Sequence, residues 1–283
     1  MSTTRAIVLA RGLGTRMRAP DPSAQLTSEQ QRVADAGIKA MIPVNGRPFL
    51  DYILSSLADA GICDVALVVG PEHNALRRYY QADALPVRVG IGFVVQDQAL
   101  GTAHAVLAAE RWVQSEPFLT INADNLYPVD ALAALAALAE PGLAVFDPED
   151  LIRSGNIPPE RIRSFALLDV DGRGYLAGIV EKPEGDQWLP PLGGSTLKGG
   201  RTSEGGSYVS MNCWRFDERI FQACREVPRS ARGEFEISEA VGVALRRGVS
   251  FKAIAARGPV LDLSTRADAA HVARRLAGIS PRP

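Results

Sequence analysis

The first residues that could do chemistry follow a short apolar run near the N-terminus. Residues 5–17 read RAIVLARGLGTRM. Gly12 and Gly14 lack a Cβ, so the backbone can take positive φ, approach an anion closely and present N–H groups to it. Thr15 and Arg16 add a hydroxyl and a guanidinium, which can bind phosphate oxygens bidentately. The stretch predicts a phosphate-binding loop, and the alternative is an ordinary strand-to-helix turn.

Two well-known glycine loops do not fit this stretch. The dinucleotide-binding fingerprint needs a third glycine three residues after the second, and Met17 stands there. The Walker loop needs Gly-Lys-Ser or Gly-Lys-Thr, and neither tripeptide occurs in the chain. A phosphate-binding loop at this position must therefore be of another kind.

The elements around the loop predict an α/β sheet. Ala6–Leu9 is an apolar run too short for a normal helix, which is typical of a strand buried on both faces. Such strands deliver ligand-binding loops at their carboxyl ends. The first half alternates further strands with helices, which favours a mostly parallel sheet with right-handed crossovers. The predicted strands are Val65–Val69, Gly92–Gln96 and Phe118–Asn122, and the predicted helices are a segment from near Pro48 to Gly61, then Glu72–Gln81, Thr102–Val113 and Val129–Glu140.

The second half has a different pattern. Phe165–Val180 consists of two apolar runs around Asp-Gly-Arg-Gly, which indicates a hairpin. Gly185–Ser207 is rich in glycine and proline and is predicted to be a long loop. Arg18–Ile38 is a polar insertion with room for one short helix, which we expect to be mobile until a ligand binds. The remaining predicted elements are helices at Asp217–Glu226 and Glu236–Arg247, a strand at Phe251–Ala255, and a helix capped by Thr265 with Asp268 at its third position.

Composition excludes several classes of protein. The chain has 283 residues, of which 46% are hydrophobic, enough for a substantial core. Its 31 basic and 32 acidic side chains create no net field that would attract nucleic acid. The sequence has no signal-peptide pattern and no apolar stretch long enough to span a membrane. Three scattered cysteines form neither a disulfide framework nor a zinc motif, so we expect a cytoplasmic protein.

The glycine loop resembles the L-A-G-G-x-G-T-R-L/M signature of the sugar-1-phosphate nucleotidyltransferases. Leu9 and Ala10 match its start, and Arg11 replaces the first glycine of the pair. Six further stretches match that family's pattern in the same chain order. The resemblance implies a single α/β domain with a Rossmann-like, doubly wound, mixed but mostly parallel sheet and helices on both faces. It also implies a nucleotide-binding half over about 1–126 and a sugar-phosphate-binding half over about 127–283.

The resemblance assigns roles in the nucleotide half. Arg16 and Lys39, the latter in KAMIPV, would be catalytic cations that act on the triphosphate. In VVQDQALGTAHA, Gln96 would read the base while Gly101 and Thr102 line the nucleotide site. Arg11 should point toward phosphate or toward a neighbouring acid. For Lys39 and Gln96 the ordinary alternative is a solvated surface side chain, and His104 is interpreted as packing or solvated.

The resemblance also implies a metal and a sugar site. Asp124 in INADNLYP and Asp262 in VLDLSTRAD would bind Mg²⁺, which accepts one or two protein carboxylates together with phosphate oxygens and water. Taken singly, they could be a turn residue and a loop acid. The residues implied for the sugar phosphate are Asn125, Glu181, Lys182, Asn212 and Glu234.

The implied reaction transfers a nucleotidyl group from a nucleoside triphosphate to a sugar-1-phosphate and releases pyrophosphate. The partners would be these two small molecules, without nucleic acid or membrane, and a homo-oligomer stays open. Departures from the family pattern at Arg11, Ala40, Ala123 and Ser264 leave two alternatives. One is a transferase for a non-sugar phosphate or phosphonate, and the other is a catalytically silent subunit that senses nucleotide sugars.

Overall fold

The computed structural model describes residues 2–22, 24–181 and 208–283 of the chain. The strands are β1 (Arg5–Leu9), β2 (Pro43–Val44), β3 (Arg47–Pro48), β4 (Asp64–Val69), β5 (Gly90–Val95), β6 (Phe118–Asn122), β7 (Asn125–Leu126), β8 (Gly142–Val145), β9 (Ala166–Val170), β10 (Leu176–Val180), β11 (Tyr208–Ser210), β12 (Trp214–Phe216), β13 (Lys252–Ala255) and β14 (Leu261–Asp262). The α-helices are α1 (Thr15–Arg18), α2 (Ser28–Ala36), α3 (Phe49–Asp59), α4 (Asn74–Arg78), α5 (Thr102–Ala108), α6 (Glu110–Val113), α7 (Val129–Ala137), α8 (Pro148–Ser154), α9 (Pro159–Ile162), α10 (Arg219–Glu226), α11 (Ile237–Arg246) and α12 (Arg266–Arg275).

A seven-stranded sheet organises the fold, in the order β13-β8-β12-β6-β1-β4-β5. β1 pairs in parallel with β4 and β6, β4 with β5, and β8 with β13, whereas β12 runs antiparallel to both of its neighbours. A three-stranded antiparallel sheet, β10-β9-β11, and two short pairs, β14-β7 and β2-β3, complete the described strands. The predicted mixed, mostly parallel sheet is confirmed.

The core lies on both faces of this sheet. On β1, Ala6 and Val8 pack into one apolar cluster and Ile7 into the other, because successive side chains of a strand point to opposite faces. The first cluster includes side chains of α3, α7 and α12, and the second includes those of α5, α10 and α11. Burial on both faces explains why the strand reads as an unbroken apolar run.

Several predicted elements have different bounds in the structure. The helix predicted at Glu72–Gln81 is the short α4 followed by a π-helical turn at Tyr79–Asp83. The helix predicted at Thr102–Val113 is divided into α5 and α6. Strands β8 and β12 were not predicted, because runs of three or four buried residues show no alternation that would reveal them. The loop predicted at Gly185–Ser207 lies outside the described residues.

The polar insertion does contain one well-formed helix, α2. Thr27 accepts a hydrogen bond from the Gln30 backbone N–H, and the Gln30 side chain accepts one from the Thr27 N–H, which completes a capping box. Arg18 donates to the Ala36 carbonyl at 2.7 Å at the other end of the helix. The dependence of this segment on ligand stays a prediction. No helix in the described ranges is long and apolar enough to cross a bilayer.

Candidate active site

A cleft of about 570 Å³ opens beyond the carboxyl ends of β1, β5 and β6, where an α/β sheet is expected to bind its ligand. Every predicted site residue within the described ranges lines this cleft, whereas Lys182 lies outside those ranges. The lining includes Leu9, Ala10, Arg11, Gly12, Gly14, Thr15, Arg16, Lys39, Gln96, Gly101, Thr102, Asp124, Asn125, Glu181, Asn212, Glu234 and Asp262. The structure therefore brings together residues from both halves of the chain, and their individual roles stay predictions.

The two glycines of the loop are there for different reasons. Gly14 has a φ of 63°, and a Cβ added to it would lie 2.3 Å from the Gly37 carbonyl oxygen. Gly12 does not have positive φ, and a Cβ on it would approach Lys39 Cε only to 3.9 Å. Gly14 is therefore required by the turn into α1, whereas a side chain at position 12 would cause no clash. Thr15 and Arg16 follow on α1 and are exposed.

Arg266, which was not predicted as a site residue, anchors α1 from below the cleft. Its Nε donates to the Met17 carbonyl at 2.8 Å and its Nη2 to the Arg18 carbonyl at 2.9 Å. Nη2 also forms an ion pair with Asp35 of α2 at 2.7 Å. A guanidinium at the C-terminal carbonyls of a helix is favourable. The short helix that follows the glycine loop is thereby fixed to α2 and α12.

Arg11 takes the second of its two predicted directions, toward a neighbouring acid. Its Nη2 lies 3.7 Å from Glu72 Oε2, and its Nη1 donates to the Gln96 backbone carbonyl. The side chain is only 10% exposed. Arg11, just after β1, is therefore connected to Gln96, just after β5, by a hydrogen bond.

The predicted base-reading element is held in one arrangement. Gln96 Nε2 donates to the Gly101 carbonyl at 3.1 Å and lies 3.0 Å from His104 Nδ1. Burial lowers the pKa of His104, and the charge of Arg11 lowers it further, so the neutral imidazole accepts from the amide. Gly101 has a φ of 105°. The Thr102 hydroxyl accepts a hydrogen bond from the Ile237 N–H at 2.8 Å, which connects the start of α5 to the start of α11.

The two predicted metal ligands stand on adjoining backbone segments. Leu263 N–H donates to the Asp124 carbonyl at 2.8 Å, and Asp262 is paired with Asn125 in the short β14-β7 ladder. Lys39 Nζ lies 2.6 Å from Asp124 Oδ2. Burial raises the pKa of Asp262, and the nearby charge of Asp124 raises it further. The two carboxylates are thus close enough to interact, and each is paired with a cation, Asp124 with Lys39 and Asp262 with Arg161.

The donor set fits Mg²⁺ that arrives with a triphosphate. No group of three or more His, Cys, Asp or Glu side chains that could hold a metal occurs in the described part of the chain. Two carboxylates alone are an incomplete shell, but Mg²⁺ commonly takes one or two carboxylates and completes its octahedron with phosphate oxygens and water. Asp124 and Asp262 satisfy that requirement by ligand type.

The cleft lining also includes the described residues that are predicted to bind the sugar. Ser238 Oγ donates to Glu181 Oε2 at 2.5 Å, and Glu234 lies 3.7 Å from Arg232. Asn212 adopts a φ of 56°, and its Oδ1 accepts a hydrogen bond from Trp214 Nε1 at 3.3 Å. These contacts hold acidic and amide groups in the lining of the cleft that also contains the glycine loop.

Some cleft residues were missed by the sequence analysis. Arg232 forms an ion pair with Glu236 and lies two residues before the predicted Glu234, a position that could have identified it. The others carry no pattern that would mark them in a sequence. The missed lining residues include Ser164, Phe165, Ser210, Arg232 and Glu236.

Comparison with known proteins adds to this geometry. The family model described as "Nucleotidyl transferase" matches residues 5–263. The chain is 27% identical over 273 residues to a UTP–glucose-1-phosphate uridylyltransferase of Haloferax volcanii, covering 96% of each protein. It is also 27% identical over 290 residues to a glucose-1-phosphate thymidylyltransferase of Streptomyces antibioticus, covering 98% of this chain and 68% of that one. Other relatives are longer, and the chain spans 58% of a low-salt glycan biosynthesis nucleotidyltransferase of Haloferax volcanii.

Solved structures share the fold. A UDP-glucose pyrophosphorylase complexed with UDP-glucose aligns with a TM-score of 0.71 at 19% identity, covering 96% of this chain and 97% of that one. A UTP-bound UGPase from Acinetobacter baumannii aligns with a TM-score of 0.71 at 19% identity, covering 99% and 95% of the two chains. At this identity the alignments establish the shared architecture of the chains.

Proposed function

The chain belongs to the nucleotidyl transferase family, and on that premise we propose that it transfers a nucleotidyl group from a nucleoside triphosphate to a sugar-1-phosphate. One observation carries the proposal. A glycine loop, a glutamine suited to reading a base, two carboxylates and a wall of acidic and amide groups line a single cleft, although they come from segments spread along the whole chain. The names of the relatives above, which act on glucose-1-phosphate, support the choice of acceptor.

The reaction is a displacement at the α-phosphorus. An oxygen of the sugar-1-phosphate forms a new bond to that phosphorus, and the bond from it to the pyrophosphate oxygen breaks. Because charge moves onto the leaving pyrophosphate, catalysis depends mainly on positioning and on neutralising that charge. The backbone of Gly12, Gly14 and Thr15 holds the triphosphate, while Arg16 and Lys39 stabilise the departing oxygens.

The other residues bind and orient the two substrates. Gln96 and Gly101 hold the base. The sugar of the acceptor is bound by Glu181, Asn212 and Glu234, whose side-chain oxygens can accept hydrogen bonds from its hydroxyl groups. Lys182 binds the acceptor phosphate. Asp124 and Asp262 would hold Mg²⁺, which supplies positive charge to neutralise the phosphate oxygens when it is bound.

Release of pyrophosphate tests the proposal. The protein is incubated with Mg²⁺, each nucleoside triphosphate in turn and a panel of sugar-1-phosphates and non-sugar phosphates. We expect pyrophosphate with at least one sugar-1-phosphate and none when the acceptor is omitted. Pyrophosphate release with only non-sugar acceptors would assign a different substrate class. Binding of a nucleotide sugar without pyrophosphate release for any substrate pair would indicate a silent sensing subunit. A cytoplasmic location and a homo-oligomeric state are expectations that this assay leaves to separate measurements.

A further inference from the structure

Arg161 of α9 holds the carboxylate of Asp262 from the side opposite Asn125. Arg161 Nη1 lies 2.6 Å from Asp262 Oδ1, and Asn125 Nδ2 donates to Asp262 Oδ2 at 2.9 Å. Each oxygen of the carboxylate thus has its own donor, and two donors on separate oxygens fix the rotation of the group about its Cβ–Cγ bond. The Asp262 side chain is 6% exposed, so water offers no competing set of partners.

Arg161 is itself held by a third acid. Its Nη1 and Nη2 donate to the two oxygens of Asp268 at 3.1 and 3.2 Å. Asp268 in turn accepts from the N–H groups of Ser264 and Thr265 at the start of α12. The guanidinium therefore forms a planar fork between a helix start and Asp262, a geometry that the ammonium of a lysine cannot reproduce.

A purely electrostatic role would look different. A positive charge 2.6 Å from a carboxylate opposes the approach of a cation to that carboxylate. If Arg161 served only to neutralise a buried acid, its removal would make the site more attractive to a divalent cation. Removal of a group that orients the acid would have the opposite effect and weaken cation binding, because the carboxylate could then turn away from the position that the cation needs.

We propose that Arg161 is a positioning residue, which orients Asp262 toward the divalent cation of a bound triphosphate. The inference rests on the proposed function, since it requires that Asp262 is a metal ligand. Arg161 also lies close in sequence to the cleft lining, because Ser164 and Phe165, three and four residues further along the chain, line the cleft.

Binding of Mn²⁺ to the full chain tests this inference without an activity measurement. Mn²⁺ affinity is measured by water-proton relaxation enhancement, with the protein alone and with inorganic tripolyphosphate. The variants are Arg161→Met, Arg161→Lys and Asp262→Asn. Arg163→Met is the matched control, because Arg163 lies two residues further on and is exposed. Circular dichroism melting confirms that each variant folds.

We expect Arg161→Met to weaken Mn²⁺ binding about 10-fold or more, the scale for loss of an outer-shell partner of a metal ligand. Arg161→Lys should weaken it as well, because the charge is kept and the fork is lost, while Arg163→Met should bind as the wild type does. Unchanged or tighter binding in folded Arg161→Met overturns the inference. If that variant does not fold, unchanged binding in Arg161→Lys overturns it equally.

Asp262→Asn separates this inference from the proposed function. If it leaves Mn²⁺ affinity unchanged, the metal assignment itself is wrong, and the positioning role falls with it. If it weakens binding while both Arg161 variants bind as the wild type does, the metal assignment stands and only the role of Arg161 is refuted.

Discussion

Lys39 Nζ lies 2.6 Å from Asp124 Oδ2, and the two side chains are only 16% and 21% exposed. The ion pair joins the 3₁₀ turn at Lys39–Met41 to the loop after β6, and both residues line the cleft. It keeps both groups in place in the free protein. Under the proposed function, Lys39 would bind phosphate oxygens and Asp124 would hold the cation, and both groups are already positioned for those roles.

The first prediction concerns Lys39. Lys39→Met should lower kcat about 10²-fold, because it removes a preorganised cation beside the leaving pyrophosphate. Lys252→Met is the control, since Lys252 lies on β13 away from the cleft and donates to the Arg173 carbonyl. Steady-state kinetics with both substrates varied would check this. A Lys39→Met enzyme with wild-type kcat would show that Lys39 serves only to neutralise Asp124.

The second prediction separates the two loop glycines. Gly14→Ala should cost about 1 to 3 kcal/mol of unfolding free energy from positive φ alone. The contact of its Cβ with the Gly37 carbonyl, 2.3 Å away, adds to that cost. Gly12→Ala should change stability by less than about 0.5 kcal/mol, because its Cβ would make only an ordinary van der Waals contact with Lys39 Cε. Urea unfolding of the two variants measures the difference, and equal stabilities would contradict the described loop geometry.

The third prediction concerns Arg11. Arg11→Ala should destabilise the protein by about 1 to 3 kcal/mol, because the Gln96 carbonyl loses a buried donor. Arg78→Ala is a suitable control, since its side chain is 78% exposed and pairs with Asp83 at 3.5 Å. Denaturant unfolding would measure both variants. If Arg11→Ala lost triphosphate binding but kept full stability, Arg11 would be a direct ligand of the nucleotide and not a brace between strands.

The fourth prediction distinguishes the two ends of the substrate path. Arg16 is exposed and forms no ion pair with the part of the chain that the structure describes, so its charge is available to the triphosphate. Arg16→Ala should lower kcat about 10²-fold, because its contact strengthens as pyrophosphate leaves. Lys182→Ala should mainly raise the KM for sugar-1-phosphate. An Arg16→Ala enzyme whose single defect is weak binding of the sugar phosphate would reverse these roles.

Local sequence patterns predicted the glycine loop and the parallel half of the sheet. Ala6–Leu9 reads as a doubly buried strand, and the position of a loop at its carboxyl end follows from sheet geometry. The structure places the predicted residues of its described ranges in one cleft, in agreement with the chain order of the matching motifs. The features that could be predicted are those determined by residues close together in the sequence.

Contacts between distant residues could not be predicted. Arg161 and Asp262 are 101 residues apart, and Arg266 and Met17 are 249 apart. Neither arginine belongs to a recognisable motif, and the side chain of an arginine at a helix start is ordinarily solvated. The Thr102 hydroxyl is a similar case, because its partner, the Ile237 N–H, is brought close only by the packing of α5 against α11.

The central claim is that an oxygen of a sugar-1-phosphate attacks the α-phosphorus of a nucleoside triphosphate. It is tested most directly with sugar-1-phosphate that carries ¹⁸O in its phosphate oxygens, and with the triphosphate that gives pyrophosphate in the release assay. Mass spectrometry of the products should show all the label in the nucleotide sugar, including its bridging oxygen, and unlabelled pyrophosphate. Label in the pyrophosphate, or a nucleotide product without label, would contradict the account.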